Sequence, residues 1–359
     1  MKILSVVGAR PQLVKAAIMA EGLRHHPQID HILLHTGQHY DQNMSGLFFD
    51  ELQIPEPAYN LGVGSASHGM QTGRMLEQIE TVLLKERPNW VVVYGDTNST
   101  LAGALAAAKL HFPVAHIEAG LRSFNMRMPE EINRVLVDRL STLLFVPTQN
   151  AAQNLRHEGI VEGVMLVGDL MYDAALHFAE CAEKRSRILD SLGLSPGNYV
   201  LATLHRAENT NSDGCRLVTI LQALGEVSRR MPVVLPLHPR TRALVEATGN
   251  DELLGKLLVT EPVGYLDMLM LEKNARLIAT DSGGVQKEAF FFSIPCVTIR
   301  EETEWIELLE AGWNHLAPPH DSATIVAAMQ TAMRQDRPPL IQLYGDGHSA
   351  DKIVAALLQ

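Results

Sequence analysis

Short, uninterrupted apolar runs recur along this chain, each followed by a polar turn and an amphipathic stretch. Ile3–Val7, Ile32–His35, Trp90–Tyr94, Val114–Ile117 and Leu143–Val146 form one series. Val200–Leu204, Val233–Leu237, Leu277–Thr280 and Cys296–Ile299 form a second. A strand with one wet face alternates polar and apolar residues, whereas continuous apolarity fits parallel strands covered on both faces. Gln12–Leu23, Gln71–Lys85 and Thr100–Leu110 read as helices between strands. Strands alternating with helices build right-handed βαβ units, so the expected fold class is α/β with doubly wound, Rossmann-like sheets.

The 359 residues correspond to about two domains at roughly 150 residues each. A strand ends at Val167-Gly168-Asp169, a helix follows over about Met171–Leu192, and Ser195-Pro196-Gly197-Asn198 is a turn cluster. The expected division is 1–170 and 171–344, with a C-terminal helix over about 345–359 that can pack back on the first domain. The formal net charge of −11, without a long basic run, argues against a nucleic-acid or membrane-surface partner. No stretch approaches the roughly 18 apolar residues of a membrane span. The N-terminal apolar run is broken at Arg10-Pro11, too early for a secretory leader. Cys181, Cys215 and Cys296 lie 34 and 81 residues apart, which suits neither a zinc knuckle nor a disulfide framework. A cytoplasmic protein without an essential metal is expected, and an anionic substrate would need its positive contacts gathered locally.

Open parallel sheets bind ligands beyond the carboxyl ends of their strands. Six such ends carry glycine or ionisable residues: Gly8-Ala9-Arg10-Pro11, Gly95-Asp96-Thr97, Glu118-Ala119-Gly120, His205–Asn209, His238-Pro239-Arg240 and Asp281-Ser282-Gly283-Gly284. The last of these runs from a strand into a helix, where free N–H groups and the helix dipole suit a phosphate. An ordinary N-cap by Asp281 or Ser282 is the alternative. It is neither a Walker loop nor a dinucleotide fingerprint. Arg10 and Lys15 sit where they can supply positive charge to a dianion. His205 and His238, each near an arginine, favour phosphate contact or proton transfer and match no metal-ligand spacing. Asp96, Glu118 and the Glu130-Glu131 pair are the candidate acids, although carboxylates after Pro129 also complement a helix dipole. Phe290–Phe292 and Met268–Met270 are expected in the core, and Gly62–Gly69 is expected to be a mobile loop or lid.

Taken as an ordered set, these motifs resemble the non-hydrolysing UDP-N-acetylglucosamine 2-epimerase family. The carrying residues are Gly8-Ala9-Arg10-Pro11, Gly95-Asp96-Thr97, His116–Arg122, Pro129–Arg134, His205-Arg206 and Thr280–Gly284. The resemblance runs essentially end to end. It implies a GT-B-like pair of Rossmann domains facing a central cleft, a homodimer, a UDP-sugar substrate and no cofactor. It further implies inversion at C2 by elimination of UDP to a 2-acetamidoglycal, followed by re-addition. The matching positions make Asp96, Glu118, Glu131 and His205 the proton-transfer set, with Lys15 close by. Arg10, Arg206, His238, Ser282, Gly283, Gly284 and Glu288 would hold UDP, with Glu288 on the ribose. The match assigns the C2 proton to no single acid.

Two departures bear on the sugar. The family commonly reads Gly-Thr-Arg-Pro-Glu where this chain has Ala9 and Gln12, and Gly37–Asp41 only partly matches the segment that builds an allosteric UDP-sugar site. The resemblance implies inversion of the UDP-GlcNAc to UDP-ManNAc type, with the same chemistry on UDP-2,3-diacetamido-2,3-dideoxyglucuronate as the alternative, since Ser123–Met128 and Thr203–Thr210 look more like a subgroup acting on that sugar. A GT-B glycosyltransferase, a hydrolysing epimerase and a non-catalytic UDP-sugar sensor are the competing readings. Three acids at strand ends fit proton abstraction better than transfer or sensing.

Overall fold

The apolar runs form parallel strands of two sheets in the computed structural model, which describes residues 1–38, 51–206, 208–210, 214–339 and 341–359. One compact unit comprises Met1–Leu176 and Gln342–Gln359, and the other comprises His177–Ile341. In the first, β1 (Lys2–Val7), β2 (Asp30–His35), β3 (Tyr59–Asn60), β4 (Trp90–Tyr94), β5 (Val114–Ile117), β6 (Leu143–Val146) and β7 (Val164–Leu166) lie in the order β3-β2-β1-β4-β5-β6-β7. The second holds β8 (Val200–Thr203), β9 (Val233–Pro236), β10 (Leu258–Thr260), β11 (Leu277–Thr280), β12 (Cys296–Thr298) and β13 (Asn314–Leu316), ordered β10-β9-β8-β11-β12-β13. Every neighbouring pair is parallel.

Burial on both faces explains the continuous apolarity. Val200, Ala202 and Leu204 pack with Leu217, Ile220, Ile325 and Met329 on one face of the second sheet. Tyr199 and Leu201 pack with Leu271, Val285 and Ala289 on the other. In the first unit Leu4, Val6, Val91 and Val93 join Met75, Ile79, Ala102 and Ala106. Strand order reverses beside β1 in one sheet and beside β8 in the other, which leaves a crevice at the carboxyl ends of β1 and β4, and of β8 and β11.

Three strands escaped the sequence pattern, and all three are sheet edges, β3, β10 and β13, while the fourth edge, β7, is the strand expected to end at Val167-Gly168-Asp169. All four edges are two or three residues long and mostly half-exposed, so nothing requires an unbroken apolar run there. The helix expected over Met171–Leu192 is two helices, Leu170–Arg185 and Ile188–Leu192. Ser186 breaks it: its Oγ accepts from Ile188 N at 3.2 Å and donates to Asp267 Oδ1 at 2.6 Å. Within the segment Gly62–Gly69, the first residues are anchored and those from Ser65 onward are exposed. Val63 N donates to Thr36 O and Gly64 N to Gly37 O, both at 3.0 Å, and a helix starts at His68.

The C-terminal helix Ser349–Leu357 belongs to the first unit. Ala350 N donates to Asp173 Oδ2 at 2.9 Å, and the helix packs over Gly22 of the helix Arg10–Arg24, where a Cβ would make only ordinary contact with Ala350 at 3.6 Å. At the end of β1, Gly8 is required by packing. A Cβ would fall 2.1 Å from Ser99 Oγ and 2.2 Å from Thr36 Oγ1, two hydroxyls that hydrogen-bond each other at 2.8 Å.

Candidate functional site

In the second unit the turn after β8 is shaped by the residue that follows β11. Asp281 is fully buried, and its carboxylate accepts from His205 N, Arg206 N and Asn209 Nδ2, each at 3.1 Å. His205 Nδ1 lies 3.3 Å from the same carboxylate, with most of the ring exposed. Ser282, not Asp281, is the N-cap of the helix Gly283–Phe291, its Oγ accepting from Val285 N at 3.4 Å. That settles the choice the sequence left open: Ser282 caps, while Asp281 folds the neighbouring turn.

The glycines after Ser282 are not demanded by the protein's own packing. Neither has positive φ, and a Cβ would meet nothing nearer than Trp305 Nε1 at 3.6 Å over Gly283 and Ser282 Oγ at 3.9 Å over Gly284. The same positions would lie 4.0 Å from Arg206 Nη2 and 4.0 Å from Glu288 Oε2. Space therefore opens over the helix N-terminus, bordered by a guanidinium and a carboxylate. Glu288 is buried and accepts from Tyr265 Oη at 3.3 Å. Glu272 beneath it is wholly buried; burial, then the charge of Glu288, hold its carboxyl well above the ordinary range.

Arg300, Glu304 and Trp305 also border this turn, and the sequence reading stopped short of them at Ile299. Arg300 clamps Glu304 with Nη1–Oε2 at 3.0 Å and Nη2–Oε1 at 3.2 Å, and Arg206 Nη2 lies 3.8 Å from Glu304 Oε1. The Arg300-x-x-x-Glu304 spacing was the available signal. His238 is exposed and caps its own helix, Pro239–Ala247, accepting from Arg240 N at 3.2 Å. None of its hydrogen bonds described here reaches the glycine turn.

In the first unit, Lys15 and Glu118 form a buried ion pair. Glu118 adopts φ +72°, a left-handed conformation that side chains other than glycine rarely take and that clusters at functional sites. Glu118 N and Ala119 N both donate to Phe145 O at 3.1 Å, which holds that turn. Gly95 faces the pair: a Cβ there would lie 3.5 Å from Glu118 Oε2 and 3.8 Å from Lys15 Nζ. The next residue, Asp96, is bound by Arg134 Nη2 and is part-exposed. Glu131 is buried and occupied, accepting from Ser123 N, Phe124 N and Arg134 Nη1 at 2.9 Å and from Ser123 Oγ at 3.0 Å. Its neighbour Glu130 is exposed. Arg10 is exposed at the first turn of its helix.

Gln12 explains one departure from the family pattern. Its Oε1 accepts from Gly8 N at 2.8 Å, while its Nε2 donates to Tyr94 O at 2.7 Å and Thr100 Oγ1 at 2.9 Å. A glutamate could not donate to that carbonyl. Gln38 is likewise used internally, accepting from Ser99 N at 3.0 Å, whereas His39, Tyr40 and Asp41 of the expected allosteric segment lie outside the described residues.

The family model described as UDP-N-acetylglucosamine 2-epimerase matches residues 21–358. This chain belongs to that family. It is 51% identical over 99% of both chains to the Pseudomonas aeruginosa UDP-2,3-diacetamido-2,3-dideoxy-D-glucuronate 2-epimerase. It is 45% identical over 99% of both chains to the Methanocaldococcus jannaschii UDP-N-acetylglucosamine 2-epimerase. The crystal structure of that M. jannaschii enzyme with UDP-GlcNAc and UDP superposes with a TM-score of 0.92 at 44% identity, covering 100% of this chain and 99% of the other. The Neisseria meningitidis enzyme bound to UDP-GlcNAc gives 0.90 at 29% identity, with both chains covered completely.

For this member of the epimerase family, ten of the positions named from sequence fall into two groups, while Arg10 and His238 are exposed at the starts of their own helices. Lys15, Asp96, Glu118 and Glu131 gather around Gly95 and Arg134 in the first unit; His205, Arg206, Ser282, Gly283, Gly284 and Glu288 gather around Asp281 in the second. Among the described residues, no His, Cys, Asp or Glu group could hold a metal ion, and no helix is long and apolar enough to cross a membrane.

Glu304 gives the second group a pH signature. Burial pushes its carboxyl up, but hydrogen bonds and charge from Arg300, with the charge of Arg206, outweigh this and hold it at about 2, below the ordinary 4.5. A carboxylate depressed on folding contributes stability above its unfolded value and loses it as pH falls through the folded one. Urea titrations across pH 5 to 2 should show a fall in stability that Glu304→Gln makes shallower; equal slopes would refute the assignment.

Proposed function

We propose that the chain inverts C2 of a UDP-linked 2-acetamido sugar without hydrolysing it, with UDP held at the N-terminus of the helix Gly283–Phe291 in the second unit. The observation that carries this is the open space over Gly283 and Gly284, at the strand-order reversal, beside Arg206 and Glu288. A helix N-terminus and a guanidinium suit the diphosphate. The Glu288 carboxylate suits the ribose hydroxyls, and His238, exposed at the start of its own helix in the same unit, offers a further polar contact. Replacing Gly284 with Val fills the space where the backbone meets phosphate, so UDP affinity measured by calorimetry should fall at least tenfold in a folded variant. Unchanged affinity would misplace the phosphate.

The C2 proton is poorly acidic and leaves as the C1–O bond to UDP breaks, which forms the C1=C2 bond of a glycal. Protonation on the opposite face and re-addition of UDP restore both bonds, so no electrons are gained or lost. Glu118 beside Lys15, Asp96 beside Arg134, and the exposed ring of His205 are the groups to carry protons. Glu131, occupied by four donors, acts by holding the Ser123–Phe124 turn and Arg134. Product formed in D2O should carry deuterium at C2. Glu118→Gln should keep UDP binding while turnover falls roughly 10²–10⁴-fold, the range for losing an acid–base group. Retained C2 protium would exclude elimination, and an unimpaired Glu118→Gln would free that residue of the role.

The sugar we propose is the 2,3-diacetamido uronate, supported by the 51% identity to the P. aeruginosa enzyme along both chains. Turnover of that nucleotide sugar should exceed that of UDP-GlcNAc in a side-by-side assay, and the reverse ranking would restore UDP-GlcNAc. A homodimer completes the reading. Ile132 and Leu136, one helical turn apart on Pro129–Leu140, are exposed apolar side chains, and sedimentation equilibrium should return twice the chain mass.

A further inference from the structure

Behind the acids of the first unit lies a buried polar chain that the reaction scheme above does not use. Arg122 donates from Nε to Glu158 Oε1 at 2.6 Å and from Nη2 to Oε2 at 2.8 Å. Its Nη1 donates to Asp138 Oδ2 at 2.7 Å and to Leu121 O at 2.6 Å. Gly120 N donates to the same Asp138 oxygen at 3.2 Å. The other oxygen, Oδ1, faces His116 Nδ1 at 2.8 Å, and both side chains are fully buried. At the far side of the ring, His116 Nε2 lies 2.7 Å from the Gly95 carbonyl oxygen.

The hydrogens follow from what these atoms can do. A carbonyl oxygen only accepts, so Nε2 carries a proton. A bare ring nitrogen against a carboxylate oxygen at 2.8 Å would be repulsive, so a second proton lies between Nδ1 and Asp138. His116 is thus bonded at both ends, spanning from the helix Pro129–Leu140 to the turn after β4.

That turn adjoins both carboxylates proposed to move the proton. Asp96 follows Gly95 directly, and Gly95 sits at φ +62° facing Glu118 Oε2. His116 lies on β5, two residues before Glu118, which follows the strand's end, so one short segment carries both an acid and the group that grips the other acid's turn. Gly95 N also donates to Ile117 O at 2.9 Å.

We propose that the buried His116–Asp138 pair, anchored by Arg122, is a positioning element of the reaction that sets Asp96 relative to Glu118 by holding the Gly95 carbonyl. This rests on the reading that those two carboxylates move the C2 proton. The pair touches no substrate and acts through the turn. Misplacement of a reacting group by about 1 Å costs roughly a hundredfold in rate, so the effect belongs in kcat and not in UDP affinity.

Two substitutions separate the ends of the brace. An asparagine amide stands near the ring's Nδ1 position and keeps the Asp138 contact; a glutamine amide reaches the Nε2 position and keeps the Gly95 contact. His116→Asn should lower kcat by about a hundredfold with KM and UDP affinity near wild type, and His116→Gln should recover most of that loss. Amide hydrogen exchange at Gly95 should accelerate in His116→Asn and stay slow in His116→Gln. Wild-type kcat in His116→Asn, or equal impairment in both, would overturn the proposal. If wild type turns over neither sugar, the functional reading fails, while the exchange comparison still decides whether His116 holds the turn. Should His116→Asn not fold, Asp138→Asn takes its place with the same measurements, judged by the same loss of kcat and of Gly95 protection.

Discussion

A parallel strand pair cannot be closed by a tight turn, so every strand in these sheets is followed by a crossover whose hand is fixed by the twist of the backbone. Crossovers that leave a central strand in opposite directions cover opposite faces, and the carboxyl ends on either side of the reversal are then free of covering backbone. That happens at β1 and β4 in one unit and at β8 and β11 in the other. The residues proposed for the chemistry sit there because those are the places where a doubly wound sheet leaves main chain, glycine and charged side chains unobstructed. The same construction yields acids in the first unit and an anion-suited helix end in the second, which shows how much the local residues decide once the architecture has placed the opening.

Buried charge in both units is compensated at short range. Arg134 serves Asp96 and Glu131, Arg122 serves Asp138 and Glu158, and Arg300 serves Glu304. Removing one member would leave its partner buried and uncompensated, which is far more destabilising than the net worth of the intact pair. Such arrangements contribute little stability as a whole, but they admit few alternative geometries. A site that must hold carboxylates at set positions gains from that restriction.

Much of this was legible in the residues. Central strands announce themselves because both faces are covered; Trp90–Tyr94, Val114–Ile117, Leu143–Val146 and Leu277–Thr280 were recovered with their observed bounds. Edge strands such as Asn314–Leu316 carry no such signature, since one side of the ladder is open. At the sites, the residues immediately after each strand were visible as a class, but their individual tasks were not. Asp281 was read as a possible cap and instead folds the turn after β8, a contact across more than seventy residues of sequence. Glu131 was read as a proton-transfer acid, and the structure surrounds it with donors. Local spacing says nothing about hydrogen bonds that depend on which strands become neighbours.

The left-handed backbone at Glu118 has a consequence for the protein's history and for its redesign. A side chain in that conformation costs about 1–2 kcal/mol relative to glycine, and a buried carboxylate there needs Lys15 to balance it. Any procedure that selects only for heat tolerance should therefore drift toward glycine or asparagine at this position, and toward an apolar residue in place of the lysine. The resulting protein would be sturdier but would lack the acid proposed to move the proton, so heat tolerance and the proposed chemistry pull this position in opposite directions.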